Sequence, residues 1–285
     1  MIIEEFRRKY PLQKIQINGA DFTYRYYKND SAKTTLVLLT GGIGLSDLFY
    51  AHFDRFARDF SVITFDYHEA YPTLSELADA AAVLFEKLGV KVWLVGQSLG
   101  GVCAQIFTKL HPENVEGLVL SNTTSLAEDM GGEGLACLEN MIAGQKKTRR
   151  MVKLIPFGII KKIIMKSLDK KTEKLPEESR EAFGEMTDIM LELMTKKYEL
   201  HMIDMLIDCE NHLNMKPSDF EQFRDRVLLI LSDDDETFND ECKKSLIKLM
   251  PEPTVITDMG GGHLGALMQI DDYAEKVTDF IMNRS

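Results

Sequence analysis

A run of apolar residues that leads directly into Gly96-Gln-Ser98-Leu-Gly100 constrains the fold of this chain more than any other segment. The run, residues 92–95, has the composition of a buried strand, and residues 100–111 are compatible with a helix. Glycines on both sides of the serine permit a sharp turn that larger side chains would crowd. This order predicts a strand–turn–helix unit from which the Ser98 hydroxyl projects. The alternative is an ordinary strand-to-helix loop in which a serine happens to occur.

The length of 285 residues fits one elaborated α/β domain, or a core with an inserted lid. No apolar stretch reaches the roughly 20 residues needed to span a bilayer. The first residues mix acids and bases where a secretory signal would need an apolar core, so we expect a cytoplasmic protein. A net charge of −11 argues against nucleic acid as a partner, since phosphate binding needs a basic surface. The cysteines lack metal-type spacing and are expected to be reduced and buried: Cys103, Cys137, Cys209 and Cys242.

Strand-type and helix-type segments alternate along the chain. A hairpin is predicted around Asn18-Gly19, and Thr73-Leu-Ser-Glu76 is a capping box that begins a helix ending at Gly89. Helices interleaved with strands predict an α/β fold, with a mostly parallel central sheet flanked by helices. The apolar strand-type runs lie at 35–39, 62–65, 92–95, 118–120, 227–231 and 254–257, and further helical periodicity lies at 45–60, at 241–250 and before Ile281.

A long helical segment interrupts this alternation. Residues 126–220 have almost no strand-type pattern, so they are predicted to form a helical cap inserted into a core of residues 1–125 and 221–285. Pro156-Phe157-Gly158 is expected to break one cap helix, and Leu175-Pro176-Glu177 to begin another. An insertion at the sheet edge that carries the serine is expected to cover it. The alternative is a helical appendage away from the serine.

A histidine is needed beside the serine, because a serine hydroxyl is a weak nucleophile until a neighbouring base takes its proton. The strongest candidate is His263 in Met259-Gly-Gly-Gly-His263-Leu-Gly265, where glycines let the loop approach the serine closely. The strand before it is expected to end at the same sheet edge. His68, on the loop after another strand, is the competing candidate. The other histidines lie in predicted helices or in the insertion.

A carboxylate is expected to orient that histidine and to support its positive charge. Asp233, Asp234 and Asp235 follow the apolar run 228–231, and the chain order serine, aspartate, histidine is one that hydrolases use. The residues alone do not select one of the three. A cluster of solvated acids at a strand end is the alternative.

Donors for a developing oxyanion are predicted on the segment Leu39-Thr40-Gly41-Gly42-Ile43-Gly44, which follows a strand. Its glycines leave backbone N–H groups free, so the N–H groups of Gly42 and Leu99 are predicted to form an oxyanion hole. The alternative is a phosphate-binding loop. However, the Gly-Lys-Ser/Thr ending is missing and the Gly-x-Gly-x-x-Gly pattern is incomplete.

Taken together, these motifs resemble those of the α/β-hydrolase superfamily, in its capped, serine-nucleophile, carboxylesterase-like form. The similarity covers roughly residues 13–125 and 222–285. In that family the acid usually stands three residues after a small residue that ends the strand. Here the small residue is Ser232, so the resemblance selects Asp235. It implies an α/β-hydrolase fold with an inserted helical cap.

The resemblance and the motifs imply a serine hydrolase that cleaves an ester or related acyl bond of a small molecule through an acyl-enzyme. Ser98, His263 and Asp235 would form the triad, and no metal or organic cofactor is predicted. One alternative is C–C bond hydrolysis or acyl transfer to another acceptor with the same triad. Another is a non-catalytic ligand-binding or scaffold protein of the same fold.

Two features of the predicted cap bear on the substrate. Three methionines share one helix face: Met186, Met190 and Met194. They either pack the cap against the core or line the site. If they line the site, short or medium acyl chains should be preferred. Ten basic residues and one acid lie between Lys146 and Lys171. This basic stretch could hold an anionic substrate or contact an acidic membrane surface, but its composition favours a solvated cap face over membrane contact.

Overall fold

The computed structural model describes residues 2–172 and 177–284, without the side chains of 167–172, 177–179, 181 and 182. Its strands are β1 (Gln13–Ile17), β2 (Ala20–Tyr27), β3 (Thr35–Leu39), β4 (Ser61–Phe65), β5 (Val92–Gln97), β6 (Val115–Ser121), β7 (Val227–Ile230) and β8 (Thr254–Ile256). Its α-helices are α1 (Ile3–Lys9), α2 (Tyr50–Phe56), α3 (Leu74–Leu88), α4 (Leu99–Leu110), α5 (Gly132–Leu154), α6 (Phe157–Thr172), α7 (Glu177–Leu193), α8 (Lys196–Asp208), α9 (Asp240–Leu249), α10 (Gly265–Met268) and α11 (Ile270–Met282). Short 3₁₀ helices lie at Ser46–Phe49, Pro112–Asn114, Cys209–His212, Pro217–Asp219, Glu221–Phe223 and Gly262–Leu264.

The strands form one sheet in the order β1-β2-β4-β3-β5-β6-β7-β8. The hairpin β1–β2 and the pair β2–β4 are antiparallel, and every pair from β4 to β8 is parallel. The predicted two-residue turn is present, with φ of +51° at Asn18 and +82° at Gly19. The mostly parallel sheet and the α/β-hydrolase architecture predicted from the sequence are therefore confirmed.

Apolar clusters cover both faces of the sheet, as the continuous apolar strands predicted. On β3, Val37 and Leu39 pack in one cluster, while Leu36 and Leu38 pack in the other. Helices α3 and α4 cover the first face, and α1, α2 and α11 cover the second. The predicted capping box begins α3, with the Glu76 N–H donating to Thr73 Oγ1 and the Thr73 N–H donating to Glu76 Oε2.

Two local differences from the sequence prediction lie near the amino terminus of the chain. Helix α1 was not predicted, and it is held by the buried side chains of Ile3 and Phe6. The single helix predicted over 45–60 is instead a 3₁₀ helix, Ser46–Phe49, followed by α2. Asp66 fixes the start of the 3₁₀ helix, because its Oδ1 accepts from the Ser46 N–H at 2.7 Å.

Four helices, α5 to α8, connect β6 to β7. The two ends of this connection lie side by side where they join the core. There the Met215 N–H donates to the Leu126 carbonyl at 3.0 Å, and the Glu128 N–H donates to the Met215 carbonyl at 3.0 Å. The break predicted at Pro156 separates α5 from α6. The predicted start of a helix at Leu175-Pro176 lies outside the described residues, and α7 begins at Glu177.

All four cysteines are free thiols. Cys103, Cys209 and Cys242 are buried as expected, whereas Cys137 is only half-buried. Among the helices formed by residues 2–172 and 177–284, none combines the length and the apolar composition that crossing a bilayer would require.

Candidate active site

Ser98 lies between β5 and α4 in a backbone conformation that residues other than glycine rarely adopt. Its φ is +54° and its ψ is −119°. A β-carbon at Gly96 would collide with the carbonyl group of Gly100, and one at Gly100 would collide with the carbonyl group of Leu39. The absence of side chains at both glycines therefore allows the tight turn that presents Ser98, as the sequence predicted.

His263 stands next to Ser98 although 165 residues separate them in the chain. It lies in the 3₁₀ helix Gly262–Leu264 on the loop that follows β8, where Gly261 and Gly262 have φ of +99° and +60°. His263 Nε2 is 3.0 Å from Ser98 Oγ, so the hydroxyl can donate its hydrogen to the imidazole. The Phe238 and His263 rings meet in an edge-to-face arrangement, with their centres 5.5 Å apart.

Asp235 contacts the second nitrogen of the same imidazole. His263 Nδ1 is 3.2 Å from Asp235 Oδ1 and 3.1 Å from Oδ2. The Asp235 side chain is 1% exposed and the His263 side chain is 23% exposed. Burial alone would raise the pKa of the Asp235 carboxyl, but the hydrogen bond from His263 and the N–H groups of Thr237 and Phe238 hold that pKa below its usual value. The carboxylate thus remains charged beneath the imidazole.

The other residues that the sequence offered as the acid or the base do not take part in these contacts. Asp234 Oδ2 accepts from the Gly261 N–H at 3.0 Å, so this carboxylate shapes the His263 loop without contacting the imidazole. Asp233 is exposed. His68 Nδ1 accepts from the N–H of Ala70 at 3.0 Å, within its own loop. Of the three consecutive acids, Asp235 is the one placed against the histidine.

Of the two predicted oxyanion donors, Leu99 follows the serine directly and Gly42 lines the same cavity as the serine. The loop after β3 runs directly against the turn, since a β-carbon at Gly41 would lie 2.7 Å from Gln97 Oε1 and 3.4 Å from Ser98 Cβ. Leu99 is the first residue of α4, where a backbone N–H has no partner within the helix. Within the described part of the chain, no hydrogen bond uses the N–H of Gly42 or of Leu99. Both groups are available to a bound oxygen atom.

Asn122 is a site residue that the sequence analysis missed. It is 2% exposed and has a φ of +40°. Its Nδ2 donates to the Gly262 carbonyl at 2.8 Å and to Ser232 Oγ at 3.1 Å, and its Oδ1 accepts from the Ser232 N–H at 2.9 Å. One side chain at the end of β6 therefore joins the loop that carries the acid to the loop that carries the histidine.

Two more polar side chains fix the same region. Gln97 Nε2 donates to the His263 carbonyl at 3.0 Å, and Thr123 Oγ1 donates to the Ser98 carbonyl at 2.7 Å. The signal that could have revealed Asn122 and Thr123 is a polar run, 121–125, placed after a buried strand at the predicted edge. All five of its residues are buried, which is the arrangement expected of side chains whose polar atoms are hydrogen-bonded inside the fold.

A cavity of about 220 Å³ opens above Ser98 and His263. Helix α7 forms one side of it with Phe183, Met186 and Met190. Met194, which the sequence placed on the same helix face, is buried in the apolar cluster and does not line the cavity. The remaining lining residues are Thr40, Gly41, Gly42, Ile43, Leu48, Phe49, Gln97, Thr187, Leu264, Leu267 and Met268. The lining is mainly apolar, which suits an uncharged group.

Known proteins resemble this chain in sequence and in fold. The family model described as alpha/beta hydrolase fold matches residues 34–154. A proline iminopeptidase of Lactobacillus acidophilus is 29% identical over 159 residues, and one of Lactobacillus crispatus is 30% identical over 160 residues. Each match covers 50% of this chain and 50% of the relative, so the chain spans about half the length of the relatives it matches.

The likeness to solved structures extends over nearly the whole chain. A thermophilic esterase from Thermogutta terrifontis superimposes with a TM-score of 0.70 over 95% of this chain and 98% of that one, at 16% sequence identity. At this level of identity the likeness concerns the fold.

Proposed function

We propose that this chain, which belongs to the α/β-hydrolase superfamily, is a serine hydrolase that cleaves an uncharged ester or related acyl bond through an acyl-enzyme. The observation that carries the proposal is the 3.0 Å contact between Ser98 Oγ and His263 Nε2 at the base of an apolar cavity. A serine in this position gains a base that can take its proton, and the cavity supplies room for an acyl group.

In the first step, Ser98 Oγ attacks the carbonyl carbon of the substrate and its proton passes to His263 Nε2. The imidazole becomes positively charged, and the buried carboxylate of Asp235 stabilises that charge from the Nδ1 side. Because Asp235 stays ionised, it also keeps the hydrogen of the neutral imidazole on Nδ1. Nε2 is then free to accept the serine proton.

The carbonyl oxygen acquires a negative charge as the tetrahedral intermediate forms. The N–H groups of Gly42 and Leu99 would donate to that oxygen from the two sides of the cavity base. Removing one donor of this kind typically raises the barrier by about 3 to 4 kcal/mol. The proposal therefore assigns stabilisation of the oxyanion to backbone groups, which substitution of a side chain does not delete.

The intermediate then collapses as the C–O bond to the leaving alcohol breaks. His263 returns its proton to the alcohol oxygen, which leaves an acyl group on Ser98. A water molecule next gives a proton to His263 and attacks the acyl carbon. The bond between the acyl carbon and Ser98 Oγ then breaks, His263 returns its proton to Oγ, and the acid product departs. The half-buried His263 ring can reach both the leaving group and the incoming water.

The first experiment asks whether Ser98 is a nucleophile. The wild-type protein, a Ser98→Ala variant and a Ser31→Ala control are incubated with a fluorophosphonate probe. Only the wild type and the control, whose changed serine lies on the loop before β3, should become labelled. A folded wild-type protein that takes no label would contradict the enzyme and support a binding protein.

Amide hydrolysis is a second candidate, because the matched relatives are named proline iminopeptidases. A substrate with a free proline amine would bring a polar, ionisable group into the cavity, which costs free energy unless a partner receives it. The apolar lining supports an uncharged acyl group instead. We expect hydrolysis of p-nitrophenyl butanoate and hexanoate to exceed hydrolysis of proline p-nitroanilide. The opposite order would replace the ester proposal with the aminopeptidase.

A further inference from the structure

Exposed apolar side chains are concentrated on one part of the cap. Among the described residues, eleven large hydrophobic side chains are exposed, and five of them lie between Met151 and Met165. Leu154, the last residue of α5, is 84% exposed, the highest value of the set. Single exposed apolar residues are common on protein surfaces, but a group of them marks a contact surface.

The exposed residues follow the same spacing on both helices. Lys147, Arg150, Met151 and Leu154 occupy positions i, i+3, i+4 and i+7 of α5. These positions share one helix face. The opposite side of α5 carries Val152, which is fully buried.

Helix α6 repeats the arrangement with Ile159, Lys162, Ile163 and Lys166. Ile160, on the inner side of this helix, is 2% exposed. Each helix therefore buries one apolar face and presents a second face that combines two apolar with two basic residues. We call these two outer faces the basic cap face, formed by Lys147, Arg150, Met151, Leu154, Ile159, Lys162, Ile163 and Lys166.

The cations of the basic cap face have no acidic partners in the described part of the chain. Neighbouring cations behave differently, since Lys146 pairs with Glu210 at 2.6 Å and Arg149 pairs with Asp204. Two neighbouring cations of α5 are thus paired with acids, whereas the four cations of the basic cap face are not paired with any acid of the described residues. This occurs in a chain whose net charge is −11.

We propose that the basic cap face binds the surface of an anionic lipid bilayer. Bilayer interfaces bind helices that combine exposed apolar side chains with lysine and arginine. The apolar residues would enter the headgroup region, and the four cations would lie among the anionic lipids. Charge also sets the orientation, because the remaining, acidic surface would be repelled. Nucleic acid would match the cations but not the exposed Leu154, Ile159 and Ile163.

Docking in this way would bring the bilayer within one helix of the cavity. Lys161, on the inner side of α6, donates to the Leu191 carbonyl of α7 at 2.6 Å. Phe157 and Ile164 pack in the same apolar cluster as Met190, which lines the cavity. Helix α6 therefore lies between the proposed bilayer surface and α7. Esters that partition into a membrane would be concentrated next to the cavity.

Vesicle flotation tests the proposal independently of the chemistry, because the Ser98→Ala protein can be used throughout. Vesicles of phosphatidylcholine alone are compared with vesicles of phosphatidylcholine and phosphatidylglycerol in equal amounts. We expect binding to the anionic vesicles only. It should weaken as salt rises from ~0.1 M to ~1 M, which shortens the Debye length from ~10 Å to ~3 Å.

Charge variants locate the surface. Each lysine near an anionic membrane contributes about fivefold to binding, so Lys162→Gln with Lys166→Gln should lower the partition coefficient by about 30-fold. The matched control removes two exposed lysines, Lys28 and Lys33, from the loop before β3, at the opposite edge of the sheet from Ser98. It should bind like the wild type.

Apolar variants separate lipid insertion from simple charge attraction. Ile159→Ser with Ile163→Ser should weaken binding even at low salt, whereas Leu110→Ser with Ile247→Ser, two exposed positions outside the cap, should not. Equal binding to neutral vesicles, no binding to anionic ones, or equal losses in test and control variants would overturn the proposal. So would sedimentation that shows self-association through this face in place of lipid binding.

Discussion

The two sides of the cavity are built in different ways. On the sheet side, hydrogen bonds fix each group, as between His263 and Asp235 or between Asn122 and the Gly262 carbonyl. On the cap side, α7 contributes Met186 and Met190 through apolar contact, and the cavity lies between these two surfaces. Hydrogen bonds depend steeply on direction, whereas apolar contacts do not.

The two sides would meet two different requirements of a hydrolase: a fixed geometry for the reaction and an adaptable surface for the substrate. Under the proposed mechanism, proton transfer between Ser98 and His263 depends on a fixed distance, so small displacements on the sheet side should lower the rate strongly. Methionine side chains are flexible and can repack around different ligands. Changes on the cap side should therefore alter which acyl group is accepted while leaving the chemical step nearly intact.

The largest expected effect is at Asp235. Asp235→Asn should lower kcat by about ten-thousand-fold, because the histidine loses its supporting charge and its correct hydrogen position. Steady-state kinetics on the preferred p-nitrophenyl ester measures this, with circular dichroism to verify the fold. Asp233→Asn and Asp234→Asn are the matched controls, and both should be mild. An Asp234→Asn variant as damaged as Asp235→Asn would mean that the wrong acid has been assigned.

Asn122 should give the second largest effect. Asn122→Gly keeps a backbone that tolerates the positive φ but removes every side-chain bond to the two loops, so kcat should fall by up to about a hundredfold with KM little changed. The matched control is Asn18→Gly, which has a similar φ in the β1–β2 turn.

Rates in the Asn122 experiment are expressed per labelled site, using the fluorophosphonate probe to count competent protein. A purely structural role would reduce the number of labelled sites and leave the rate per site unchanged. That result would remove Asn122 from the group of residues that position His263.

The smallest effect is expected on the cap side. Met190→Ala should enlarge the cavity and raise the ratio of kcat/KM for long over short acyl esters by about tenfold. Met194→Ala provides the control, since Met194 is buried on the same helix outside the cavity. A p-nitrophenyl ester series measures both. If Met190→Ala lowered kcat equally for every chain length, the cap side would be part of the catalytic geometry and the contrast would fail.

Local patterns predicted the core well where burial imposes a simple rule. Strand β3 was predicted over 35–39 and has those bounds, because a strand covered on both faces must be apolar throughout. Helix α1 has only seven residues, and such a short helix depends on tertiary packing rather than on its own sequence. That packing, through Ile3 and Phe6, is not visible in the local pattern.

Within the candidate site, too, some residues could be inferred from local patterns and others could not. That Ser98 and His263 lie together could be inferred from the sequence, because glycines mark the close approach of their loops; their catalytic roles stay a prediction. The choice among Asp233, Asp234 and Asp235 required the family resemblance, since it depends on the turn in which the Asp235 N–H donates to the Ser232 carbonyl at 3.1 Å. Asn122 belongs to the polar run 121–125 after a buried strand, but its partners lie 110 and 140 residues further along the chain, so the run alone does not identify them.

The single point of attachment of the cap has a consequence for how such a protein can change. Leu126 and Met215 are joined by a backbone hydrogen bond, so the two ends of the insertion lie side by side where they join the core. The entropic cost of closing a loop between such fixed ends rises only slowly with its length. A change in the length of the insertion should therefore leave the register of β6 against β7 intact, as long as the α8 side chains that pack in the core, such as Met202 and Met205, are kept. Under the proposed function, the part of the chain that selects the substrate could then change during evolution while the residues of the sheet edge stay the same.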